Sequence, residues 1–481
     1  MTTIVEQTYR LGEFHPFEAE GEKFLYLVPA GAIFQIDDSV EKLIKCVDHS
    51  GTRHEKLIEG LMGEGLTPAD AEELVAEMFH ANVITSDSQL VERPQSPPTV
   101  FPLQTLVMNL TNQCNLSCQY CYEFGADKVA TPEGKPKFMD LGTAKASVDF
   151  LLAQAKGRRS IHITFFGGET LMNFPLLKQV VAYATEKAHN EECHVDFSLT
   201  TNATLLTPSI IEFLSENRIG VTVSMDGPKE LHDQLRVFSN GKGSYDIIEP
   251  KVRALIENHR TRPITARVTL TSGVTDVVRI FRHLKQDLGF HEVGFAPVTT
   301  SPNQLYAINS KGMDTVLNQF HALAKEYLEY ALRGESHGFS NVSDTLAELC
   351  QGVNKSHPCG AGLGLMGVGP SGDIAPCHRF VDSDEHALGH ISTGIDLQKQ
   401  NDFLTRGHID SKYDCHTCWA RPLCAGGCHH EAFVRYGDTG HPNLHYCDWI
   451  RDWTNTCLEI YGAIAAKNPA FLQQFAERKS S

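Results

Sequence analysis

Between residues 103 and 300, short apolar runs of strand length alternate with longer stretches that carry apolar residues at helical spacing. The short runs predict β-strands, and the longer stretches predict the helices that connect them. This alternation is typical of parallel βα units, in which each helix carries the chain back to the start of the next strand. The predicted strands are residues 103–110, 161–166, 195–200, 220–225, 265–270 and 292–295, and the predicted helices are residues 141–155, 174–188, 209–217, 247–257 and 274–288.

The first 93 residues have a different pattern, with two apolar runs followed by helical segments. Asp38 or Ser39 is the predicted N-cap of the first helix, and Thr67 followed by Pro68 marks the start of the third. A Pro-Ala-Gly break between the two apolar runs indicates a hairpin. The predicted elements are a hairpin at 23–36, helices at 40–47, at 54–62 and from 67 onward, and a closing strand at 82–84.

Composition divides the rest of the chain. The segment after residue 93 is rich in proline and is predicted to be a linker. After the βα region, a helix is predicted at 313–332, and cysteines are frequent from residue 350 onward. The predicted organisation is a small domain at 1–93, a linker at 94–102, an α/β domain at 103–300, a helical bridge at 301–345, a cysteine-rich domain at 346–460 and a tail helix at 461–481.

Composition and charge exclude several classes of protein. The net charge of −17 argues against a general nucleic-acid binder, which needs a basic face. No apolar stretch is long enough for a membrane span, and the N-terminus lacks the pattern of a secretion signal. We therefore expect a cytoplasmic protein without a membrane partner. In such a chain, 14 cysteines with short spacings favour metal ligation over disulfides.

Three cysteines directly follow the first predicted strand of the βα region. Cys114, Cys118 and Cys121 form the pattern Cys-x3-Cys-x2-Cys. Three thiolates can hold three irons of a 4Fe–4S cluster, which leaves the fourth iron open to a ligand that is not protein. A structural zinc site normally has four ligands, yet no further Cys or His occurs before His162. The spacing therefore favours an iron–sulfur cluster.

This motif, with Tyr120 just before its last cysteine, resembles the signature of the radical S-adenosylmethionine (radical SAM) enzymes. The resemblance implies an α/β fold with a partial (β/α)6 barrel, whose site lies at the carboxyl ends of the strands. It also implies that the open iron binds the amino and carboxylate groups of S-adenosylmethionine. Reductive cleavage of the cofactor to a 5′-deoxyadenosyl radical would then abstract a hydrogen atom from the substrate.

The same resemblance implies further contacts to the cofactor from residues that follow the later strands. Paired glycines allow close approach of backbone to a ligand, and a guanidinium suits a carboxylate. For Asp226 two roles stay open: it belongs to the site, or it caps the segment that follows an Asp-Gly turn. The alternation of residues does not settle where Arg267 and Thr269 point. The implied cofactor-binding residues are Tyr120, Gly167, Gly168, Glu169, Asn202, Ser224 and Arg236.

Eight more cysteines occur between residues 350 and 447, and their spacing resembles the auxiliary-cluster (SPASM) domain of peptide-modifying radical SAM enzymes. Two zinc ribbons remain the alternative interpretation. The resemblance implies two auxiliary 4Fe–4S clusters. If Cys350 were not a ligand, the first would have an open iron. The implied ligands are Cys350, Cys359, Cys377 and Cys428 for the first cluster, and Cys415, Cys418, Cys424 and Cys447 for the second.

The general base is harder to choose. Sulfatase-maturing relatives have an Asp after the cysteine of the Gly-x4-Cys element, where this chain has His378, which argues against formylglycine formation. Asp410 and Asp414 precede Cys415 and are candidate bases, with a solvated turn as the alternative. His429 and His430 are open in the same way.

The N-terminal elements resemble the small winged-helix domain that recognises peptides by adding the leader as a strand to a sheet edge. The alternative is a domain that only packs against the catalytic core. The chain as a whole resembles the maturation enzymes of quinohemoprotein amine dehydrogenase. That resemblance implies intrapeptidyl thioether bonds between a Cys sulfur and the methylene carbon of Asp or Glu.

The implied cofactors are three 4Fe–4S clusters and S-adenosylmethionine. The implied partners are a leader-bearing polypeptide, namely a small Cys-containing dehydrogenase subunit, and an electron donor such as flavodoxin or ferredoxin. Four alternatives stay open: a sactipeptide-type enzyme that bonds sulfur to an α-carbon, a carbon–carbon cross-linking enzyme, a non-catalytic iron–sulfur electron carrier, and a DNA-binding redox sensor.

Overall fold

The computed structural model describes residues 7–86 and 101–476. Parts of three predicted segments lie outside the described residues. These are residues 1–6 and 87–93 of the N-terminal domain, residues 94–100 of the predicted linker and residues 477–481 of the predicted tail helix.

The N-terminal part contains two small sheets and three helices. Its elements are β1 (Thr8–Leu11), β2 (Phe14–Ala19), β3 (Glu22–Leu27), β4 (Ala32–Ile36), α1 (Asp38–Cys46), β5 (Thr52–Arg53), α2 (His54–Gly63), α3 (Pro68–His80) and β6 (Ile84–Ser86). One sheet has the order β2-β3-β4, and the other has the order β5-β1-β6. The predicted hairpin is confirmed, because β3 and β4 are antiparallel neighbours with Leu27 opposite Ala32.

The starts of two helices test the predicted caps. Thr67 caps α3, as predicted, and its Oγ1 accepts a hydrogen bond from the Asp70 amide at 3.2 Å. The predicted cap of α1 is wrong by one or two residues. Asp37 is the cap, because it is still extended and its carboxylate accepts hydrogen bonds from the Ser39 and Val40 amides at 2.9 and 3.1 Å.

The predicted run of six βα units is confirmed. Its elements are β7 (Thr105–Asn109), α4 (Leu141–Gln154), β8 (Ser160–Phe166), α5 (Phe174–Asn190), β9 (His194–Thr201), α6 (Pro208–Glu216), β10 (Gly220–Ser224), α7 (Lys229–His232), α8 (Tyr245–Asn258), β11 (Ile264–Leu270), α9 (Val277–Arg282) and β12 (Glu292–Pro297). The strands are parallel and lie in the order β12-β11-β10-β9-β8-β7. Burial alternates along β8, so Ile161, Ile163 and Phe165 pack under the helices.

The sheet continues past β7, which the sequence did not predict. The additional strands are β13 (Leu365–Val368), β14 (Asp373–Ala375), β15 (Gly389–His390) and β16 (Gly394–Ile395). β13 pairs parallel with β7, and Gly367 lies opposite Val107. A Cβ at Gly367 would lie 2.8 Å from the backbone of Cys377, so glycine lets this cysteine segment lie against the sheet.

The C-terminal part is mainly helical. Its helices are α10 (Ser310–Leu332), α11 (Ser340–Cys350), α12 (Leu397–Gly407), α13 (Arg421–Cys424), α14 (His429–Tyr436), α15 (Cys447–Lys467) and α16 (Gln473–Ala476). α10 covers the predicted helix at 313–332. The predicted boundary at 460/461 falls inside α15, which begins at Cys447. Among the described residues, no helix combines the length and apolar character that a membrane crossing requires.

The N-terminal sheet β2-β3-β4 packs on α15. A Cβ at Gly462 of α15 would lie 3.0 Å from the Cβ of Ala19 and 3.1 Å from the rings of Phe17 and Phe24. The two aromatic rings are stacked on each other and belong to the same apolar core as the βα region. The N-terminal elements are therefore joined to the cysteine-rich part of the chain by a close sheet–helix contact.

Candidate active site

A cavity of about 680 Å³ is lined by the inner residues of the parallel strands. Alternate positions of β10 and β11 face it, namely Thr222 and Ser224 on one strand and Thr265, Arg267 and Thr269 on the other. These side chains are polar because the opposite face of each strand already packs against the helices. The cavity reaches the carboxyl ends of the strands, where the predicted site residues lie.

The cysteine triad lies on the wall of this cavity. The pKa values of Cys114 and of Cys121 are raised to about 12, mainly by burial and to a smaller extent by nearby charges that include the Cys118 thiol. Such thiols stay protonated without a metal, so ligation to iron as thiolates would release protons. Three neighbouring free thiols on one cavity wall fit a cluster that keeps one iron open.

The arrangement of ligands differs from that of a single-ion site. Within the described residues, no three His, Cys, Asp or Glu side chains converge on a point where one metal ion would be held. A 4Fe–4S cluster does not require such convergence, because each thiolate binds its own iron.

Gly167 and Gly168 pack against the cysteine loop itself. A Cβ at Gly167 would lie 2.2 Å from the Thr111 carbonyl oxygen, and one at Gly168 would lie 2.4 Å from that of Gln113. The Gly168 amide also donates to the Thr111 oxygen at 3.1 Å. The prediction explained this pair by approach to a ligand, and the structure adds a second reason, because any side chain here would displace the loop.

Glu169 is almost completely buried and its carboxylate is used by the protein. Oε1 accepts hydrogen bonds from Thr201 Oγ1 at 2.7 Å and from the Leu171 amide at 3.1 Å, and Oε2 accepts from the Asn202 amide at 2.7 Å. Both oxygens are therefore engaged in joining the end of β8 to the end of β9. A contact of Glu169 with the cofactor's amino group stays a prediction.

Asn202 lies beside the first cysteine of the triad. Its Nδ2 donates to Asn115 Oδ1 at 3.1 Å and to Cys114 Sγ at 3.8 Å. Its Oδ1 accepts from the amide and the hydroxyl of Thr204. The side chain is held at both ends, so it positions the Cys114 loop as well as lining the cavity.

The structure decides the question left open for Asp226. Asp226 does not cap the following segment; its Oδ2 accepts from Arg236 Nε at 2.7 Å and from the Tyr120 hydroxyl. Its Oδ1 accepts from the Thr269 amide at 2.8 Å. The Nε of Arg236 is thus occupied, and a contact of this guanidinium with the cofactor's carboxylate stays a prediction. Tyr120, Ser224 and Arg236 all line the cavity.

Sequence reasoning assigned no role to two cationic side chains of the cavity. The Arg267 side chain is exposed, and it lines the cavity. Burial lowers the pKa of this guanidinium, and the Arg379 charge contributes to the decrease. Arg379 Nη1 donates to Thr299 Oγ1 at 3.0 Å, and its guanidinium lies over the Tyr122 ring at 4.8 Å. The sequence signal that could have identified Arg379 as a site residue was its position two residues after Cys377.

Glu123 is a further cavity residue that sequence reasoning missed. The pKa of this carboxyl group is raised to about 8, mainly by burial and to a smaller extent by the charge of Asp382. Glu123 follows Cys121 by two residues, which was the signal for its place in the site. A carboxyl group with this pKa takes up and releases a proton near neutral pH.

The second set of predicted auxiliary ligands is brought together. Cys415, Cys418, Cys424 and Cys447 line a separate cavity of about 200 Å³. Burial raises the pKa of Cys424, and the Cys418 and Cys447 thiols raise it further. Cys428 also lines this cavity.

Three of the four predicted ligands of the first set are also brought together. Burial raises the pKa of Cys359 and of Cys377, and the Cys428 thiol raises both. Cys350 is different: burial alone raises its pKa to about 11, and it packs against the main apolar core at the end of α11. The place of Cys350 in the first set stays a prediction.

The candidate bases occupy different places. His378 lines the main cavity, but burial lowers its pKa to about 3, so it is a weak base. Asp410 and Asp414 lie on exposed turns outside the main cavity, and the turns bury Ile409 and Cys415. That is the alternative the sequence left open. Asp414 instead lines the smaller cavity of the second cysteine set. His429 and His430 are buried in α14.

Comparison with known proteins gives matches over most of the chain. The family model described as "Radical SAM superfamily" matches residues 108–300. The cysteine-type anaerobic sulfatase-maturating enzyme of Clostridium novyi (strain NT) is 25% identical over 365 residues, which cover 73% of this chain and 94% of that enzyme.

Two solved structures share the fold. The structure of anSMEcpe with bound AdoMet has a TM-score of 0.64 at 21% identity, and covers 78% of this chain and 100% of its own. The structure of Streptococcus suis SuiB bound to the precursor peptide SuiA has a TM-score of 0.51 at 15% identity, and covers 92% and 98% of the two chains. Identities this low indicate a shared fold and nothing finer.

The superfamily implies one 4Fe–4S cluster and S-adenosylmethionine, and the triad on the cavity wall supplies the thiols that such a cluster needs. Residues 108–300 are therefore a radical SAM domain in a mixed α/β fold.

Proposed function

We propose that this chain is a peptide maturase that bonds a cysteine sulfur to the methylene carbon of an Asp or Glu within one polypeptide. The proposed substrate is a ribosomally made polypeptide with a leader, of the kind represented by the small subunit of quinohemoprotein amine dehydrogenase. The similarity to sulfatase-maturating enzymes and the fold shared with peptide-bound SuiB support a peptide or protein substrate.

One observation carries the choice of an acidic residue: Arg267 and Arg379 both line the cavity. Arg379 donates to a neutral hydroxyl, and the two guanidinium groups oppose each other electrostatically. Asp344, which also lines the cavity, offsets part of this repulsion at Arg267. A carboxylate between them would relieve that repulsion and accept charge-assisted hydrogen bonds. A substrate Asp or Glu bound in this way would present its methylene carbon to the cavity.

When bound, S-adenosylmethionine and its 4Fe–4S cluster would supply the hydrogen-abstracting chemistry. Cys114, Cys118 and Cys121 would hold the cluster, and Asn202 would keep the first of these cysteines in place. Glu123 would accept the proton of the substrate thiol, since the thiolate is the reactive form of sulfur. The net change is loss of one hydrogen from carbon and one from sulfur.

The two C-terminal sets of cysteines are proposed to hold auxiliary 4Fe–4S clusters that take up the surplus electron. Cys359, Cys377 and Cys428 would serve the first, and Cys415, Cys418, Cys424 and Cys447 would serve the second. An external carrier such as flavodoxin or ferredoxin would supply electrons to the triad cluster.

The N-terminal part is proposed to bind the leader. β4 is an edge strand of the sheet β2-β3-β4, and Phe34 on it is exposed. An extended leader could pair with this edge as a fourth strand. The same sheet contacts the cysteine-rich part through its opposite edge strand β2, where the His15 ring stacks on Trp419 at 3.7 Å.

The test is an anaerobic reaction of the reconstituted protein with S-adenosylmethionine, dithionite and a leader-bearing peptide that contains one Cys and one Asp. We expect mass spectrometry to find a product lighter by two hydrogens, and no such product when the Asp is replaced by Asn. Arg267→Met and Arg379→Met should raise KM for this peptide, whereas Arg279→Met, at an exposed surface pair, should not.

Deuterium in the substrate separates the outcomes. Deuterium lost from the Asp methylene supports the proposal, and deuterium lost from an α-carbon favours the sactipeptide-type reaction instead. Equal conversion of the Asp and Asn peptides would refute recognition of a carboxylate. Iron bound without any deoxyadenosine under reduction would favour an electron carrier.

A further inference from the structure

Lys412 is a lysine buried inside the cysteine-rich part of the chain. Its side chain is only 1% exposed, and its Nζ donates to the Ala425 carbonyl oxygen at 2.9 Å. Within the part of the chain that the structure describes, no Asp or Glu pairs with it. A buried ammonium without an anionic partner is strongly unfavourable, so a structure that keeps one needs a compensating negative charge nearby.

The groups that surround the ammonium are thiols from both auxiliary sets. Burial lowers the pKa of Lys412, and four cysteines counteract this: Cys415 and Cys424 of the second set, and Cys359 and Cys428 of the first. Lys412 therefore lies between the two proposed cluster sites and faces ligands of each.

The backbone between Cys424 and Cys428 is shaped around this lysine. Ala425 has a φ of 46°, which is unusual for a residue with a side chain, and this conformation presents its carbonyl oxygen to Nζ. At Gly426, with a φ of 84°, a Cβ would lie 2.5 Å from Lys412 Cδ and 2.8 Å from Nζ. The loop thus has no side chain at Gly426 and an unfavourable backbone conformation at Ala425, and both features allow it to enclose the ammonium.

A second lysine in the same region shows the ordinary arrangement. Lys355 Nζ donates to the Leu423 carbonyl oxygen at 2.9 Å, but it is also paired with Glu348 at 2.6 Å and is partly exposed. A carboxylate therefore balances its charge, while the Lys355 ammonium still lowers the pKa of the Cys359 thiol. Lys355 has the same kind of backbone contact as Lys412 without the unbalanced charge.

We propose that Lys412 is a positioning residue whose ammonium is the shared counter-cation of the two auxiliary iron–sulfur clusters. It holds the two cluster sites against each other and raises the reduction potential of both, because each cluster gains negative charge when it is reduced. The inference rests on the proposed function, in which both cysteine sets hold clusters.

The experiment is an EPR-monitored redox titration of the reconstituted full chain. We expect Lys412→Met to lower the ratio of reduced to oxidised auxiliary clusters at a fixed potential by about threefold or more, the effect of removing one charge a few ångström away even in a water-like dielectric. Lys412→Arg should keep the wild-type ratio. The cluster at Cys114, Cys118 and Cys121 is the internal control and should not shift. Lys355→Met is the matched variant and should shift the ratio less than Lys412→Met does, because Lys355 is paired with Glu348.

The thermal stability of the metal-free protein is a second readout, and there the lysine is expected to be unfavourable. Without clusters the ammonium has no partner, so Lys412→Met should raise the thermal unfolding midpoint of the apo-protein. An unchanged reduction ratio in Lys412→Met with full iron content, or an equal shift in Lys355→Met, would overturn the proposal. Loss of auxiliary iron in Lys412→Met but not in Lys412→Arg supports it, whereas loss in both assigns a packing role and overturns it.

The iron content of the wild-type protein separates this proposal from the proposed function. About 12 irons per chain correspond to three clusters, and about four correspond to the triad cluster alone. About four irons would remove the auxiliary clusters and the role of Lys412 together. About 12 irons with no shift in Lys412→Met would overturn the role of the lysine alone.

Discussion

Arg236 donates its Nε hydrogen to Asp226 Oδ2 across 2.7 Å, and both side chains are nearly completely buried. The Tyr120 hydroxyl donates to the same oxygen, and the Arg236 guanidinium lies over the Tyr120 ring at 5.4 Å. Since Tyr120 lies between Cys118 and Cys121, this ion pair connects the cysteine loop to the ends of β10 and β11. The position of two cluster ligands thus depends on this pair of charges, and Arg236 also forms a hydrogen bond with the Cys118 thiol.

Asp226→Asn tests this pair. The substitution leaves the Arg236 charge buried and unpaired, so the free energy of unfolding of the apo-protein should fall by about 3–5 kcal/mol in urea titrations. Glu230→Gln is the control, because Glu230 pairs with Arg279 at the exposed surface and should cost less than about 1 kcal/mol. Equal losses in the two variants would contradict the importance of the buried pair.

Gly168→Ala tests the contact between the turn after β8 and the cysteine loop. The added Cβ would lie 2.4 Å from the Gln113 carbonyl oxygen and 3.0 Å from the Cys114 amide, so the loop must move. We expect loss of the triad cluster's iron, measured as about four fewer irons per chain. Gly63→Ala, where a Cβ would meet nothing within 4 Å, should keep full iron. Full iron in Gly168→Ala would show that the loop adapts.

Cys350→Ala tests which cysteines form the first auxiliary set. Because Cys350 packs in the apolar core and burial alone affects its pKa, we expect the variant to keep its iron. Cys377→Ala, in contrast, should lose iron, because Cys377 lies with Cys359 and Cys428. Iron analysis of the two reconstituted variants makes the comparison. Equal losses would restore Cys350 to the ligand set that the sequence implied.

His337 predicts a loss of stability in mild acid. Burial lowers its pKa to about 4, a shift that nearby Glu326 opposes and Lys285 adds to, and its ring stacks on Phe281 at 4.7 Å. An unfolded histidine has a pKa of about 6.5. Between these values the unfolded chain binds a proton that the folded chain does not, so stability is complete above pH 6.5 and falls as the pH drops toward 4.

The variant His337→Phe removes this titration and keeps an aromatic ring. Its apo-protein should lose less stability than the wild type between pH 6.5 and 4, measured by thermal unfolding at several pH values. His194→Gln, at an exposed position, should leave the wild-type profile unchanged. A profile of His337→Phe that parallels the wild type would assign the acid sensitivity to other groups.

The six strands and the cysteine triad were predictable because their signals are local. A strand that packs on one face repeats apolar residues at every second position, as Ile161, Ile163 and Phe165 do. The triad is recognisable because one loop supplies all three thiols, so the spacing of the cysteines is visible in the sequence. The helix start at Thr67 was predictable for the same reason. The predicted cap of α1 was wrong because three consecutive polar residues, Asp37, Asp38 and Ser39, are equally good caps.

The amino-acid pattern was enough to predict the parallel βα order and the triad, since each depends on residues close together in the chain. The two candidate sets of auxiliary thiols were implied by the resemblance to a known domain. The fold was needed to show that Arg379 enters the main cavity and that Lys412 lies between thiols of both auxiliary sets. These placements follow from long-range contacts, such as β13 pairing with β7, which brings residues near 377 against the sheet. Distant segments meet according to how the whole core packs, and no local pattern encodes that arrangement.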